Sequence, residues 1–415
     1  MMSDRPSIFS FFAGTGFLDL GFENSGFNIV YVNELFSPFM AAYRYSRDAL
    51  NLPLPEYGYH HGEEADVTKL VETLRATSLS EVMKDCRKLT DIVGFIGGPP
   101  CPDFSIGGKN KGQLGDNGKL SASYVKLICR TLPDFFLFEN VKGLWKTKKH
   151  RLFFEGLKQE LKQAGYVLTE RLINAIEYGV PQDRDRIILI GFRNQLINDM
   201  GIKVDSNNLI PEEAFPWRNH ILYPKNEVFS FPWSKCEPFQ EDSILPCPGN
   251  IPQELTVEYW FRKNNVLNHP NAQHYFQPRA GLKRFASVDE GDDSKKSYKR
   301  LHRWRYSPTA CYGNNEVHLH PYKVRRISVA EALAIQSLPA NFALPDNMSL
   351  TNMFKTIGNG VPYLTSKALA QTIIDFFATT GCGTLRILKP QMHADKSVPH
   401  SDEMHYIYTK HVVEV

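Results

Sequence analysis

Short apolar runs separated by longer helical patterns occupy the first half of the chain. Continuous apolar runs of this length are typical of strands that are buried on both faces of a sheet. Five such strands are predicted, at residues 7–12, 28–33, 91–96, 135–138 and 186–192. Because helices intervene between the strands, the pattern predicts an α/β fold with a mostly parallel sheet.

The pattern changes after about residue 195. Prolines, aromatics and polar residues mix there without a clear period up to about residue 320, which predicts a smaller, irregular lobe. Helical periodicity returns at 328–338 and 362–378, and the second helix is expected to pack back onto the α/β part. The predicted units are 1–194, 195–322, 323–380 and a polar C-terminal extension at 381–415.

The composition is that of an ordinary globular protein. Of the 415 residues, 42% are hydrophobic and 22% are charged, and the net charge is only +3, so any surface for a polyanion has to be local. The seven cysteines include no Cys-x-x-Cys pair, which argues against a zinc or disulfide framework and for a reducing, cytoplasmic location. No apolar stretch is long enough for a membrane span, and the run at 8–12 is too short for a signal peptide.

A glycine turn follows the first predicted strand. Phe-Ala-Gly-Thr-Gly at 12–16 leads into a helix, and glycine lets the backbone approach a ligand closely. Glu34 ends the second predicted strand about 20 residues later, which is the position of the acid that binds ribose hydroxyls in nucleotide-binding folds. A tight turn without a ligand and a dinucleotide site are the alternatives, although the third glycine of a dinucleotide site is missing. Asp66 is either a second acidic contact or a helix cap.

A proline-flanked cysteine follows the third predicted strand. The segment at 97–105 reads Gly-Gly-Pro-Pro-Cys-Pro-Asp-Phe-Ser, so Cys101 lies just beyond the carboxyl end of that strand, where open α/β sheets bind ligands. Most cysteines are small buried hydrophobes, but this turn is a poor core position. The basic, glycine-rich segment at 107–112 is predicted to be a mobile loop that closes over an anionic polymer.

These residues resemble the cytosine-5 DNA methyltransferase family of the bacterial restriction–modification type. The segment at 97–105 is similar to the nucleophile motif of the family, and four further motifs follow in the order of the family. They are Glu-Asn-Val at 139–141, Gln-Asp-Arg-Asp-Arg at 182–186, the segment 325–339, and Gly-Asn-Gly-Val-Pro at 358–362. The resemblance covers about 7–193 and 323–378, and the variable target-recognition region of the family falls in the irregular lobe.

The resemblance implies a doubly wound, Rossmann-like methyltransferase domain with a smaller target-recognition domain. It also implies an enzyme that transfers the methyl group of S-adenosyl-L-methionine to carbon 5 of a flipped-out cytosine in duplex DNA. It implies catalytic roles for Cys101, Glu139, Arg184 and Arg186, and we expect Asn140 to brace the Cys101 turn. The implied cofactor contacts are Phe12, Ala13, Gly14, Thr15, Gly16, Glu34, Leu35, Asp66, Val67, Gly98, Pro100, Leu120, Asn359, Gly360 and Val361.

This reaction explains why these residue types are needed. Carbon 5 of cytosine is a poor nucleophile, and addition of a thiolate to carbon 6 pushes electron density onto carbon 5. A thiolate attacks well and also leaves well at the end. A protonated Glu139 can hydrogen-bond ring nitrogen 3 and the exocyclic amine, and the resemblance implies that Arg184 or Arg186 contacts the ring carbonyl oxygen.

Three positions depart from the family pattern. Pro102 replaces the usual glutamine after the nucleophile, Phe17 replaces a common glycine of the cofactor turn, and Leu35 stands where an aromatic often stacks on adenine. Because Pro102 is not the attacking group, the chemistry should survive the first change. The other two concern the packing around the cofactor.

The expected DNA contacts lie in the cysteine loop and in a basic, aromatic stretch of the irregular lobe. Arginine and lysine beside aromatic residues are typical of phosphate and base contacts, and a solvated charged loop is the alternative. The residues expected to contact DNA are Ser105, Lys109, Lys111, Arg279, Lys283, Arg284, Arg300, Arg303 and Arg305. His318 and His320 have no further ligands at suitable spacing, so no metal is expected.

Three other functions are compatible with parts of the pattern: a tRNA methyltransferase of the same family, a catalytically inactive DNA-binding homologue, and a nicotinamide-dependent oxidoreductase. The long recognition region favours DNA over tRNA, and the complete catalytic set argues against an inactive homologue. Double-stranded DNA is the expected partner of a monomer in the bacterial cytoplasm, at the nucleoid and away from membranes. A cognate restriction endonuclease would act on the same site without binding this protein.

Overall fold

The five apolar runs all form strands of one sheet. The structure is a computed structural model that describes residues 5–100, 116–278, 282–295, 297–310, 312 and 316–378, without the side chains of 73–76 and 116–117. The strands in this part of the chain are β1 Ser7–Phe11, β2 Asn28–Glu34, β3 Tyr59–His61, β4 Val93–Gly97, β5 Phe135–Val141, β6 Tyr166–Asn174 and β7 Asp185–Arg193. Two of them were not predicted. β3 has only three residues, and polar residues interrupt the apolar run of β6.

The strand order reverses between β1 and β4. The sheet has the order β3-β2-β1-β4-β5-β7-β6. Neighbouring strands from β3 to β5 are parallel, whereas β7 is antiparallel to both β5 and β6. The mostly parallel sheet is therefore confirmed, and the direction of β7 is a feature that its apolar run did not reveal. The chain leaves β1 toward β2 and leaves β4 toward β5, on opposite sides of this reversal. Open α/β sheets bind their ligands at such a point of reversal, beyond the carboxyl ends of the strands.

Helices cover both faces of the sheet, which confirms the doubly wound arrangement. Within the described residues they are α1 Phe17–Glu23, α2 Ser37–Ala49, α3 Val67–Leu70, α4 Thr73–Cys86, α5 Asp116–Thr131, α6 Lys142–Lys146, α7 Lys148–Gln163, α8 Asn194–Asp199, α9 Lys225–Val228, α10 Val257–Lys263, α11 Leu282–Ala286, α12 Val329–Ile335, α13 Leu350–Asn359 and α14 Tyr363–Ala378. One apolar core lies between the sheet and α1 and α14, and a second lies between the sheet and α4, α5 and α7. None of the helices in this part of the chain has the length and apolar character that a membrane crossing needs.

The C-terminal helix α14 packs on α1. The hydroxyl of Ser366 donates to the main-chain oxygen of Leu18 at 2.5 Å, and the hydroxyl of Ser25 donates to the main-chain oxygen of Lys367 at 3.3 Å. Gly21 allows this close approach, because a Cβ at that position would lie 2.3 Å from the Ser366 hydroxyl. The chain that follows the last motif is thereby held beside the helix that follows the glycine turn.

The segment between α8 and α12 adds no strand to the sheet in its described residues. It contains the short helices α9, α10 and α11, joined by long irregular stretches. Trp260 and Phe261 of α10 share a third apolar core with α12, and Phe17 and Leu20 of α1 belong to the same core. The irregular lobe is therefore packed against the helix that follows the glycine turn. The division of the chain into separate domains stays a prediction.

A buried arginine takes the place of regular hydrogen-bonded structure in the lobe. Arg300 is fully buried and donates to the main-chain oxygens of Val288 at 2.8 Å and Lys323 at 3.0 Å. It also donates to those of Phe285 and His320. Irregular backbone inside a protein needs such donors, because its carbonyl groups have neither a ladder nor a helix to bind them.

Arg184 joins the returning chain to the sheet. This residue directly precedes β7, is 1% exposed, and donates from one terminal nitrogen to the main-chain oxygens of Gly358 at 2.9 Å and Gly360 at 3.0 Å. The other terminal nitrogen donates to the main-chain oxygen of Ala310 at 3.3 Å. One guanidinium therefore holds both the end of α13 and the last part of the lobe, in a fork geometry that a lysine ammonium cannot reproduce.

Replacing Arg184 by lysine should destabilise the fold. Arg184→Lys keeps the charge but leaves at least one buried carbonyl without a donor, at a cost of about 2–3 kcal/mol. The melting temperature should fall by a few degrees, as differential scanning calorimetry would measure. Arg218→Lys, at an exposed ion pair with Glu212, is the matched control and should melt like the wild type. Equal melting temperatures for both variants would contradict the structural role of this guanidinium.

Candidate active site

Four strand ends lie side by side at one edge of the sheet. The register pairs Phe11 with Asn33 on one side and with Gly97 on the other, and it pairs Gly97 with Phe138. The residues that follow these four are Phe12, Glu34, Gly98 and Glu139. The sheet alone therefore brings together the glycine turn, the acid at the end of β2 and the two motif segments after β4 and β5.

The glycine turn after β1 has a left-handed backbone. Phe12, Gly14 and Gly16 have φ angles of 54°, 57° and 83°, and the first of these is costly for a residue with a side chain. Gly16 cannot carry a side chain, because a Cβ there would lie 2.6 Å from the ring of Tyr43. The main-chain N–H of Ala13 donates to Asn33 of β2 at 3.1 Å. The turn is thus held open toward the sheet edge, where a ligand can approach its backbone.

Glu34 supports the turn from the neighbouring strand. Its two carboxylate oxygens accept hydrogen bonds from the main-chain N–H groups of Gly14 at 2.9 Å and Phe36 at 2.8 Å. Burial raises the pKa of Glu34 above its ordinary value, although these hydrogen bonds and Lys355 oppose the shift. Each carboxylate oxygen keeps a further lone pair, so the acid can also accept a hydrogen bond from a ribose hydroxyl.

The segments after β2 and β3 contain further candidate cofactor residues. Leu35 is 49% exposed beside the turn, and the next residue, Phe36, is an aromatic that is 41% exposed. Asp66 follows β3 and accepts a hydrogen bond from the main-chain N–H of Thr68 at 2.9 Å, so the helix cap is confirmed. Val67 is buried beneath it. An exposed aromatic is therefore present one position after the leucine that departs from the family pattern.

The C-terminal motif reaches the turn from the other side. The hydroxyl of Thr15 lies 3.1 Å from that of Thr356 in α13. Gly360 lies against the ring of Phe17, where a Cβ would come within 2.3 Å of a ring carbon. Asn359 is exposed and Val361 is buried. Of two other candidate cofactor residues, Leu120 is half-buried on α5 and Pro100 is exposed just beyond β4.

Glu139 is the acid at the centre of this edge. Its carboxylate is nearly buried and pairs with the Nε of Arg186 at 2.8 Å. Gly98 leaves room for it, because a Cβ there would lie 2.7 Å from a carboxylate oxygen of Glu139. The side-chain amide of Asn140 donates to the main-chain oxygen of Pro99 at 3.4 Å. The Glu-Asn-Val segment thus contacts the chain just before the cysteine, as expected for Asn140.

The four expected residues of the cysteine segment lie outside the described part of the chain. They are Cys101, Ser105, Lys109 and Lys111, and the segment at 107–112 is among the same residues. The described chain leads to Cys101 through Pro99, which is buried, and Pro100, which is exposed.

The two arginines of the Gln-x-Arg-x-Arg motif have different surroundings. Arg184 is buried and directs its terminal nitrogens to main-chain oxygens, whereas Arg186 lies on β7 beside Glu139. The guanidinium of Arg186 therefore lies beside the Glu139 carboxylate at the sheet edge, whereas that of Arg184 is occupied by main-chain oxygens. Asp185 stands between them and binds Lys142 and Lys225, which joins the motif to α6 and to the lobe.

Arg300 and Arg303, two of the expected DNA contacts, are buried in the lobe. Arg300 binds four main-chain oxygens, and Arg303 binds both carboxylate oxygens of Glu290 at 2.9 and 2.7 Å, so neither guanidinium reaches the surface. By contrast, Lys283 and Arg284 are exposed on α11, although Arg284 also lies over the ring of Tyr298 at 4.4 Å. The clustering of cations in the sequence thus overstated the basic surface of the lobe.

Among the other candidate residues of the lobe that the structure describes, Arg305 is half-buried and the two histidines are buried. Arg305 is half-buried and pairs with Asp293 at 2.8 Å, and Arg279 lies outside the described residues. His318 and His320 are buried, and burial lowers the pKa of both imidazoles. The described residues contain no group of three or more metal-ligating side chains.

Two residues that support the glycine turn were not found from the sequence. Asp19 of α1 is fully buried and accepts hydrogen bonds from Ser10 at 2.7 Å and Tyr43 at 2.8 Å. The hydrogen bond to Asp19 holds the Tyr43 ring against Gly16, so this ring packs directly against the turn. An acid inside the apolar run at 17–22 is a local signal for Asp19. The contact of Tyr43 has no such signal, because it forms between helices that are distant in the sequence.

Comparisons with known proteins extend over the sheet and the lobe. Residues 7–375 match the family of C-5 cytosine-specific DNA methylases. The chain is 58% identical over 369 residues to the Type II methyltransferase M.NmeDI of Neisseria meningitidis serogroup C, which covers 89% of this chain and 83% of the relative. It is 28% identical to the Type II methyltransferase M.MthTI of Methanothermobacter thermautotrophicus, over 88% of this chain and 96% of the relative.

Solved structures share the fold. A protein described as a DNA modification methyltransferase from an E. coli prophage matches with a TM-score of 0.60 and 22% identity, over 90% of this chain and all of that chain. The Rossmann-like methyltransferase fold that the sequence predicted is confirmed. Because the family match covers nearly the whole α/β part and the lobe, the chain belongs to the C-5 cytosine-specific DNA methylase family and is a DNA (cytosine-5)-methyltransferase.

Proposed function

We propose that this enzyme uses Cys101 as a covalent nucleophile and methylates a flipped-out cytosine within a specific duplex DNA sequence. The observation that carries the proposal is the alignment of Phe12, Glu34, Gly98 and Glu139 at one sheet edge. The alignment supports a cofactor site on one side of the strand reversal and a cytosine site on the other. The two ligands would then meet above the reversal between β1 and β4.

The residues at the cofactor side fit S-adenosyl-L-methionine. The left-handed turn at 12–16 leaves space for a ligand against its backbone, and Glu34 offers free lone pairs to ribose hydroxyls. The exposed Leu35 and Phe36 provide apolar surface beside it for an adenine ring. When bound, S-adenosyl-L-methionine supplies an electrophilic methyl group to the site. Asn359, at the end of α13, and Gly360 and Val361, which follow it, would complete the pocket.

The chemical step adds the Cys101 thiolate to carbon 6 of cytosine. The sulfur–carbon bond forms while the electrons of the ring double bond move toward carbon 5, which then takes the methyl group. Removal of the proton from carbon 5 lets the double bond reform and expels the thiolate, so the net change replaces one hydrogen by one methyl group. Glu139 would hold ring nitrogen 3 and the exocyclic amine during addition, and Arg186 would orient Glu139 and contact the ring carbonyl oxygen.

Recognition of the surrounding bases belongs to the irregular lobe at 195–322 in this proposal. A cytosine inside a duplex cannot reach the sheet edge, so it has to leave the stack, at a cost of a few kcal/mol that backbone contacts offset. Its neighbours stay stacked and are read through a groove by other residues. The exposed Lys283 and Arg284 support a DNA-facing role for α11, whereas Arg300 and Arg303 support the lobe from inside.

The biological role proposed for the enzyme is protection of host DNA in a Type II restriction–modification system. The similarity to Type II methyltransferases supports this role. A cognate endonuclease would cut the same sequence without binding the enzyme, which would act as a monomer on cytoplasmic DNA. Bisulfite sequencing of DNA from a host that expresses the gene tests the activity and identifies the site. A methylation assay with DNA and tRNA side by side excludes or supports the tRNA alternative.

The Cys101→Ser variant should lose methyl transfer by orders of magnitude, because a serine hydroxyl is scarcely ionised near neutral pH. Wild-type enzyme should be trapped covalently on DNA that contains 5-fluorocytosine, since fluorine cannot be removed as the proton is. Denaturing electrophoresis measures the trapped complex. Cys236→Ser, at an exposed thiol, is the control and should trap like the wild type. If Cys101→Ser also traps at the wild-type level, another residue is the nucleophile.

The Glu34→Ala variant should weaken S-adenosyl-L-methionine binding far more than DNA binding. Because burial raises the pKa of Glu34, protonation should begin to remove this acceptor at a higher pH than for an exposed glutamate, and cofactor affinity should fall as the pH is lowered through that range. Isothermal titration calorimetry measures both effects. Glu64→Ala, at an exposed acid after β3, serves as the control. Equal cofactor affinity in Glu34→Ala and wild type would refute the ribose contact.

An alanine scan of 279–320, read by genome-wide methylation mapping, tests the recognition role of the lobe. Loss of a base-reading residue should relax the methylated sequence at one position, by about 1–3 kcal/mol per lost bidentate contact. Loss of a phosphate contact, as expected for Lys283→Ala, should lower the affinity for all sequences alike and flatten the salt dependence. If every variant keeps the wild-type site while substitutions in 101–120 change it, recognition belongs to the cysteine loop.

A further inference from the structure

A second group of cations lies outside the lobe, directly after the Glu-Asn-Val segment. Residues 142–151 carry five lysine and arginine side chains, and no acid occurs between Glu139 and Glu155. Three of the lysines are exposed at the corner between α6 and α7: Lys146, Lys148 and Lys149. Within the described residues, none of these three forms an ion pair with a carboxylate. They form a local basic surface on a chain whose net charge is only +3.

The position of this corner is set by the sheet. β5 ends at Val141, and α6 begins at the next residue, at the edge that holds Glu139. Three extended residues and four helical steps separate Glu139 from Lys146, so their Cα atoms are at most about 16 Å apart. One turn of duplex DNA is about 34 Å long, so a single turn that is centred on the target base already extends about 17 Å to each side of it. The lysine corner is within reach of phosphates close to the target base.

The corner is rigid rather than a loose charged loop. Leu144 of α6 and Phe154 of α7 are fully buried in the core beneath the sheet, and the Arg151 guanidinium lies over the Trp145 ring at 4.9 Å. The first turn of α7 contains lysines and no acid, although the positive end of a helix favours acidic residues. Lysines at the start of α7 repel the positive end of the helix in the free protein, but the same positive charges attract a polyanion that binds at the corner.

We propose that Lys146, Lys148 and Lys149 bind the phosphate backbone of the DNA beside the target cytosine, and that they add affinity without adding sequence preference. The partner is duplex DNA, because it is the substrate of this enzyme family and because lysine ammonium groups bind phosphates as point charges. The proposal rests on the proposed place of the cytosine beside Glu139. The three exposed lysines would supply phosphate contacts that Arg300 and Arg303 cannot make, because both arginines are buried in the lobe.

The test compares two triple variants that remove the same charge. Lys146→Gln/Lys148→Gln/Lys149→Gln removes the corner. The matched control replaces three lysines at the opposite sheet edge, near the starts of β4 and β6, and is Lys84→Gln/Lys88→Gln/Lys162→Gln. Fluorescence anisotropy measures the affinity of each full-length variant for a target duplex and for an unrelated duplex over a series of salt concentrations.

The corner variant should bind both duplexes about tenfold more weakly near physiological salt. The slope of log affinity against log salt should decrease in magnitude by about two to three, since each lost phosphate contact removes about 0.9. The control variant should match the wild type. The corresponding triple lysine-to-arginine variant should keep the wild-type slope, because the charge is retained. Cofactor affinity and melting temperature should be unchanged in all variants, which excludes misfolding as the cause.

Three results would overturn the proposal: an unchanged slope in the corner variant, an equal effect in the control variant, or a selective loss of target over unrelated DNA. The last result would make the lysines base readers. The binding assay does not depend on methyl transfer, so its outcome is independent of the Cys101 trapping experiment. A failure of the covalent mechanism and a failure of the lysine corner are therefore distinguishable.

Discussion

The level alignment of four parallel strand ends is the constraint on which the rest of the active site depends. The hydrogen-bond register between β2, β1, β4 and β5 sets Asn33, Phe11, Gly97 and Phe138 side by side. β1 and β4 end at Phe11 and Gly97, while β2 continues to Glu34 and β5 to Val141, and the reversal of strand order leaves a crevice above β1 and β4. A one-residue slip in the pairing of β1 with β4 or of β4 with β5 would shift the glycine turn relative to Glu139 by about 3.3 Å, far more than a methyl transfer tolerates.

Two glycines leave space for neighbouring side chains at this edge of the sheet. Gly98 leaves the space that the Glu139 carboxylate occupies, and Gly16 leaves the space that the Tyr43 ring occupies. The substitution of a common family glycine by Phe17 is accommodated because its ring packs against Gly360 and lies edge-on to another phenylalanine at 5.2 Å. The change therefore strengthens the contact between the turn and the closing motif instead of obstructing the ligand.

Positive charge in this protein has two separate uses. Arg184, Arg300 and Arg303 are buried, where their guanidinium groups satisfy carbonyl and carboxylate oxygens of an irregular backbone. Breaking such a buried interaction leaves polar groups without partners, which costs far more than the loss of an exposed ion pair. Exposed cations at Lys283 and at the corner 146–149 are instead available to phosphates. The density of lysine and arginine along the sequence does not separate these two uses.

The sequence by itself determined the fold class and the family, and it predicted the edge of the sheet at which the motif residues meet. These conclusions depend on local features, namely apolar runs of strand length and motifs that directly follow them, and both survive in any α/β arrangement. Only the tertiary structure decided the antiparallel direction of β7, the presence of the short β3, the different surroundings of Arg184 and Arg186, and the burial of Arg300. Direction and burial depend on neighbours that are distant in the chain, and a pattern of residue types along one strand or loop carries no record of those neighbours.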